Sequence, residues 1–128
     1  MRYMMLIYSK ETPGGLSPEQ REELISRHTR TITEARKKGV LEGAEPLGPV
    51  STATTVRVQE DKTLVTDGPF AETKEQLAGY YIIDCENLDE AIEWAAKIPT
   101  GCRGNPGCIE IGPCPACQWQ SAMGLPAR

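Results

Sequence analysis

The sequence predicts a single α+β domain built around a small antiparallel sheet. Three observations carry that expectation. The length of 128 residues suits one hydrophobic core. Two segments of helical periodicity each begin on a capping signature. Short apolar or β-branched runs, too brief for helices, lie before, between and after them.

Arg2 to Tyr8 is apolar and aromatic, and the loop containing Pro13, Gly14 and Gly15 bounds it, as expected for a buried first strand. Ser17, Pro18 and Gln20 then form a helix start: the hydroxyl accepts from a free amide, Pro suits the first helical position and Gln reaches back. Leu24, His28, Ile32 and Ala35 recur at helical spacing until Gly39 offers a left-handed stop, which predicts a helix over 18–38. Residues 40–50 carry Gly43, Pro46, Gly48 and Pro49 and predict an irregular connection covering a sheet edge, not a ladder strand.

The β-branched runs 54–59 and 63–66, separated by Glu60, Asp61 and Lys62, predict a hairpin. Residues 79–85 are too continuously apolar to leave one face in water and predict a central strand. Asn87 and Glu90 make a second capping box, followed by an apolar stripe of Leu88, Ala91, Ile92, Ala95 and Ile98 that stops at Pro99. Ile109 to Ile111 predict a short last strand, and the tail beyond it shows no periodicity. Two helices in this order suggest a ferredoxin-like antiparallel sheet with both helices on one face. The opposite face then needs a cover, and a second copy of the chain is the economical one.

Composition narrows the function. A net charge of -4, with basic residues interleaved among Glu, argues against nucleic acid as a partner. The apolar opening has one charge, no small-residue cleavage pattern and far fewer than the ~20 residues that span a bilayer, so no membrane partner is expected. Five cysteines without an export signal predict thiols in a reducing, cytoplasmic compartment. No P-loop, GxGxxG or GxSxG occurs, so no nucleotide cofactor is expected.

The stretch from Val65 through Asp67-Gly68-Pro69-Phe70 to Glu75, followed by Gly79-Tyr80-Tyr81-Ile82 and by Leu88 to Ala95, resembles the DGPF-containing branch of the YCII-related proteins. The similarity covers residues 1–111 and leaves 112–128 as a tail containing Cys and Pro. The resemblance implies the dimeric α+β barrel form of the ferredoxin-like fold, and a family largely without an assigned reaction, discussed as small-molecule enzymes. It also implies a His and an Asp as the pair of interest. Where the family usually has Glu, an aliphatic residue, Arg and Pro, this chain has Glu110, Ile111, Gly112 and Pro113, so the Arg is missing.

His28, the only histidine, sits on the apolar stripe of the first helix and faces the sheet. It reads either as a satisfied core residue or as an acid-base group whose tautomer Asp67 fixes. Asp67 reads either as a loop-shaping cap or as a ligand-polarising group where a strand ends beside a cleft. Gly68, Pro69, Phe70, Glu72 and Lys74 are the candidate ligand contacts. Cys102, Cys108, Cys114 and Cys117 are a candidate zinc set, although only Cys114 and Cys117 have knuckle spacing; Cys85 is a small buried residue. The leading expectation is a homodimeric, cofactor-free small-molecule-binding protein, with proton transfer by His28 and Asp67. The alternative is a non-catalytic metabolite-binding or regulatory module, and a zinc-stabilised tail is compatible with either.

Overall fold

The computed structural model of the chain describes residues 1–101, 107–115 and 123–124. Its elements are β1 (Arg2–Ser9), α1 (Pro18–Lys37), β2 (Leu41–Pro46), a single 3-10 turn at Val50–Thr52, β3 (Thr54–Gln59), β4 (Lys62–Asp67), β5 (Gln76–Asp84), α2 (Leu88–Ala95) and β6 (Cys108–Cys114). The main sheet is antiparallel throughout in the order β2-β5-β1-β6. This is the ferredoxin-like α+β arrangement, with β3 and β4 inserted as a separate two-stranded ribbon.

Local chemistry accounts for α1. The Ser17 hydroxyl accepts from the Gln20 amide at 3.2 Å, and the Gln20 side chain accepts from the Ser17 amide at 2.9 Å. Pro18 occupies the first turn, and Gly39 closes the far end at φ 71°. Alternation on β1 sends Tyr3, Met5 and Ile7 to the helix side, where they form the core with Tyr81 and Ile83 of β5, Ala35 of α1, and Ala91 and Trp94 of α2. Thr31 is the buried polar residue of α1, and its hydroxyl donates to the Lys97 carbonyl at 2.8 Å, tying α1 to the end of α2.

Three expectations need correction. The segment expected to be irregular contains a ladder strand, because β2 pairs antiparallel with β5. An edge position tolerates its breakers: the register slips between Leu41 and Gly43, and Pro46, which lacks an N–H, comes last. The close approach is absorbed on the other strand, where a Cβ at Gly79 would meet the Glu45 carbonyl oxygen at 2.7 Å. On α2, Leu88 and Ile92 are exposed and Trp94 is buried, because the indole takes the core position while the Lys97 and Lys38 ammoniums lie 4.7 and 5.8 Å from its ring centroid. The last strand is longer than Ile109–Ile111 and reaches Cys114, since pairing with β1 continues past the apolar stretch.

The hairpin forms as expected, with a tighter turn. Only Glu60 and Asp61 lie outside the strands, both in the left-handed region at φ 48° and 63°, the two-residue geometry that matches strand twist. No helix of the described residues is long and apolar enough to cross a membrane.

Candidate functional site

His28 projects from α1 onto the sheet and meets Tyr81, whose position on β5 puts its side chain on the helix side beside Met5. His28 Nδ1 and Tyr81 Oη are 2.7 Å apart, with ring centroids at 5.9 Å and planes tilted by 36°. Burial pushes the Tyr81 phenol up to about 12, so it keeps its proton at all physiological pH. Burial also lowers the His28 pKa below its ordinary 6.5, and the neighbouring Arg27 charge adds to that effect. Arg27 itself donates to the Gly101 carbonyl at 3.2 Å, fixing the chain after α2 beside the pair. The imidazole is therefore neutral at pH 7.

The expected carboxylate is not its partner. Among the described residues no hydrogen bond or ion pair joins His28 to Asp67, which is exposed at the end of β4. A phenol differs from a carboxylate in two ways that matter chemically. It carries no charge to favour imidazolium, and it can donate to or accept from Nδ1, so either neutral tautomer fits. No described residue hydrogen-bonds Nε2, and no described side-chain nitrogen or oxygen is both buried and unpartnered.

The Asp67 to Lys74 turn stands on its backbone. Gly68, at φ 95°, donates its N–H to the Ala53 carbonyl at 2.7 Å and accepts from the Thr55 hydroxyl at 2.8 Å. Pro69, Phe70, Glu72 and Lys74 are all exposed, Phe70 at 77%. Among the described residues no hydrogen bond or ion pair joins this turn to His28.

The cysteines are separated by the strand that carries two of them. Cys108 and Cys114 sit at opposite ends of β6, about 20 Å apart at ~3.3 Å per residue, so one ion cannot take both from one chain. Cys108 donates to Glu75 at 3.4 Å, and that carboxylate holds the thiol above its usual range, which opposes the thiolate a metal needs. Cys102 and Cys117 lie outside the described residues. Among the described residues no group of three or more His, Cys, Asp or Glu side chains is placed to hold a metal ion. Cys85 is buried as expected.

Sequence reasoning missed Tyr81 and Arg27. Tyr80 and Tyr81 are adjacent in a run apolar on both faces, so nothing local tells which ring turns toward the helices. The lowered His28 pKa has a measurable consequence. A depressed folded pKa contributes stability that is present above 6.5 and lost as pH falls through the folded value. The urea midpoint of the wild type should therefore fall between pH 6.5 and the carboxylate range near ~4 by more than that of His28→Gln. Parallel profiles would show that His28 is not titrating with a lowered pKa.

Fold and site together define a ferredoxin-like α+β protein with a neutral His–Tyr pair between helix and sheet. The chain belongs to the YCII-related domain family, which it matches over residues 1–113. It is also 37% identical over 117 residues to a Rhizobium meliloti protein described as uncharacterized, an alignment covering 88% of this chain and 91% of the relative.

Proposed function

We propose that the protein is a homodimeric small-molecule-binding protein in which His28, held by Tyr81, is the polar centre of the ligand site. The observation that carries this reading is the half-buried, neutral imidazole with Nδ1 engaged by Tyr81 and Nε2 hydrogen-bonded to no described residue. With Nδ1–H donating to the Tyr81 oxygen, Nε2 presents a lone pair and can take a proton from a bound ligand. With the phenol donating, Nε2–H can polarise a carbonyl. Both are cofactor-free. Lacking a carboxylate behind it, the ring is a weak base, and this suits a ligand whose proton is already acidified by an adjacent carbonyl.

The dimer is supported by the sheet face away from the helices, where Met4 opposes Ile82 and Leu6 opposes Tyr80, all half-buried and covered by neither helix. The exposed turn of Asp67, Gly68, Pro69, Phe70, Glu72 and Lys74 contributes ligand contacts in this reading only where a ligand or a second subunit bridges it to His28. A non-catalytic binding module is the second reading, favoured by Tyr81 being only 3% exposed, since its hydrogen bond to His28 also clamps α1 to the sheet.

Ring-nitrogen NMR of His28 during titration with small β-keto acids and other carbonyl metabolites tests the proposal. A ligand that perturbs Nε2 and binds His28→Gln at least about tenfold more weakly, or about 1.4 kcal/mol, is the expected result. Unchanged affinity in the variant for every ligand found would end it.

A further inference from the structure

The ribbon formed by β3 and β4 is two-faced. Its register pairs Val56 with Val65, Val58 with Thr63 and Thr54 with Asp67, so these six side chains share one face. On the other face Leu64 stands among Thr55, Arg57, Gln59, Lys62 and Thr66. The valine face is uncovered: Val56, Val58 and Val65 are 58%, 69% and 64% exposed. An isolated two-stranded ribbon is marginal in water, and here the Gly68 and Thr55 hydrogen bonds join only the two legs of its own base, so its valine face lacks a packing partner among the described residues of the chain.

We infer that the ribbon is a dimerisation arm whose valine face packs on a second copy of this chain. The inference rests on the homodimer proposed above and names the element that completes it. The uncovered face of the four-stranded sheet measures roughly 19 by 23 Å at ~4.8 Å between strands and ~3.3 Å per residue, a footprint of about 440 Å². A stable interface takes about 800 Å² of accessible surface from each partner. The sheet face alone is short of that. The ribbon face adds about 200 Å² on the same spacings, and the accessible area of a corrugated side-chain surface exceeds its flat footprint.

Symmetry favours a second copy over a different partner. Each chain offers the same sheet face and the same ribbon face, and a two-fold contact is self-complementary, so a second copy can bury both without a different partner. The arm also carries the Asp67 to Phe70 turn at its root to the subunit boundary, where that turn and His28 can belong to one site.

Sedimentation velocity across a concentration series, on the wild type, Val56→Asp/Val65→Asp and Leu64→Asp, tests the arm, with circular dichroism reporting the fold. The wild type should sediment at twice the 14.0 kDa chain mass. The valine variant should weaken association at least about 100-fold, while the same change on the opposite face leaves it within about threefold. A monomeric wild type overturns both the arm and the dimer. A dimeric wild type whose valine variant associates normally overturns the arm alone, as does an equal loss in Leu64→Asp. Should the valine variant fail to fold, hydrogen exchange of the wild-type ribbon amides decides the matter: protection lost on dilution supports the arm, and protection independent of concentration overturns it.

Discussion

Met5→Ala should destabilise the protein by about 2–5 kcal/mol, a large part of the 5–15 kcal/mol typical of a domain. Met5 is 0% exposed and stands on the helix side of the sheet with Tyr81 opposite it on β5 and Ile111 opposite it on β6. Truncation removes buried surface and leaves a cavity that two hydrogen-bonded neighbours cannot fill. Urea unfolding should report the loss, with a fall in Tm on the order of 10 °C. Ile92→Ala, at a site 50% exposed on α2, should cost less than about 1 kcal/mol. Equal losses in the two variants would mean that the core is not where the sheet and helices place it.

His28→Gln should cut turnover by about 10²–10⁴-fold on a substrate found by the titration described above. Its stability near pH 7 should hardly change, since the Gln amide still reaches a phenol. Tyr81→Phe should do the opposite in part: it leaves Nδ1 without its partner at a half-buried position and should cost about 1–3 kcal/mol. A double-mutant cycle between His28→Ala, which removes the shared hydrogen bond, and Tyr81→Phe should return a coupling of about 0.5–3 kcal/mol. Full activity in His28→Gln, with all of the loss appearing as stability, would make the pair a clamp between α1 and the sheet and nothing more.

Much of this fold is legible from neighbouring residues alone. The Ser17, Pro18 and Gln20 signature starts α1 and Gly39 stops it, because caps and left-handed glycines act within one turn of chain. The β-branched runs around Glu60 and Asp61 specify the ribbon for the same reason. The motif from Val65 to Glu75 and the residues after it point to the family that the match over residues 1–113 establishes.

Other features depend on which distant segments meet. β2 becomes a strand because β5 supplies a ladder for it, and its Gly and Pro are tolerable only at an edge. Cys108 and Cys114 read as neighbours until pairing with β1 stretches them to the two ends of β6. The partner of His28 is settled by the register of β5 against β1, which turns Tyr81 inward and leaves Tyr80 outward. One step of slip would exchange the two rings, since side chains alternate along a strand. Sequence periodicity therefore places His28 against the sheet, but only long-range strand pairing decides that it meets a phenol instead of a carboxylate.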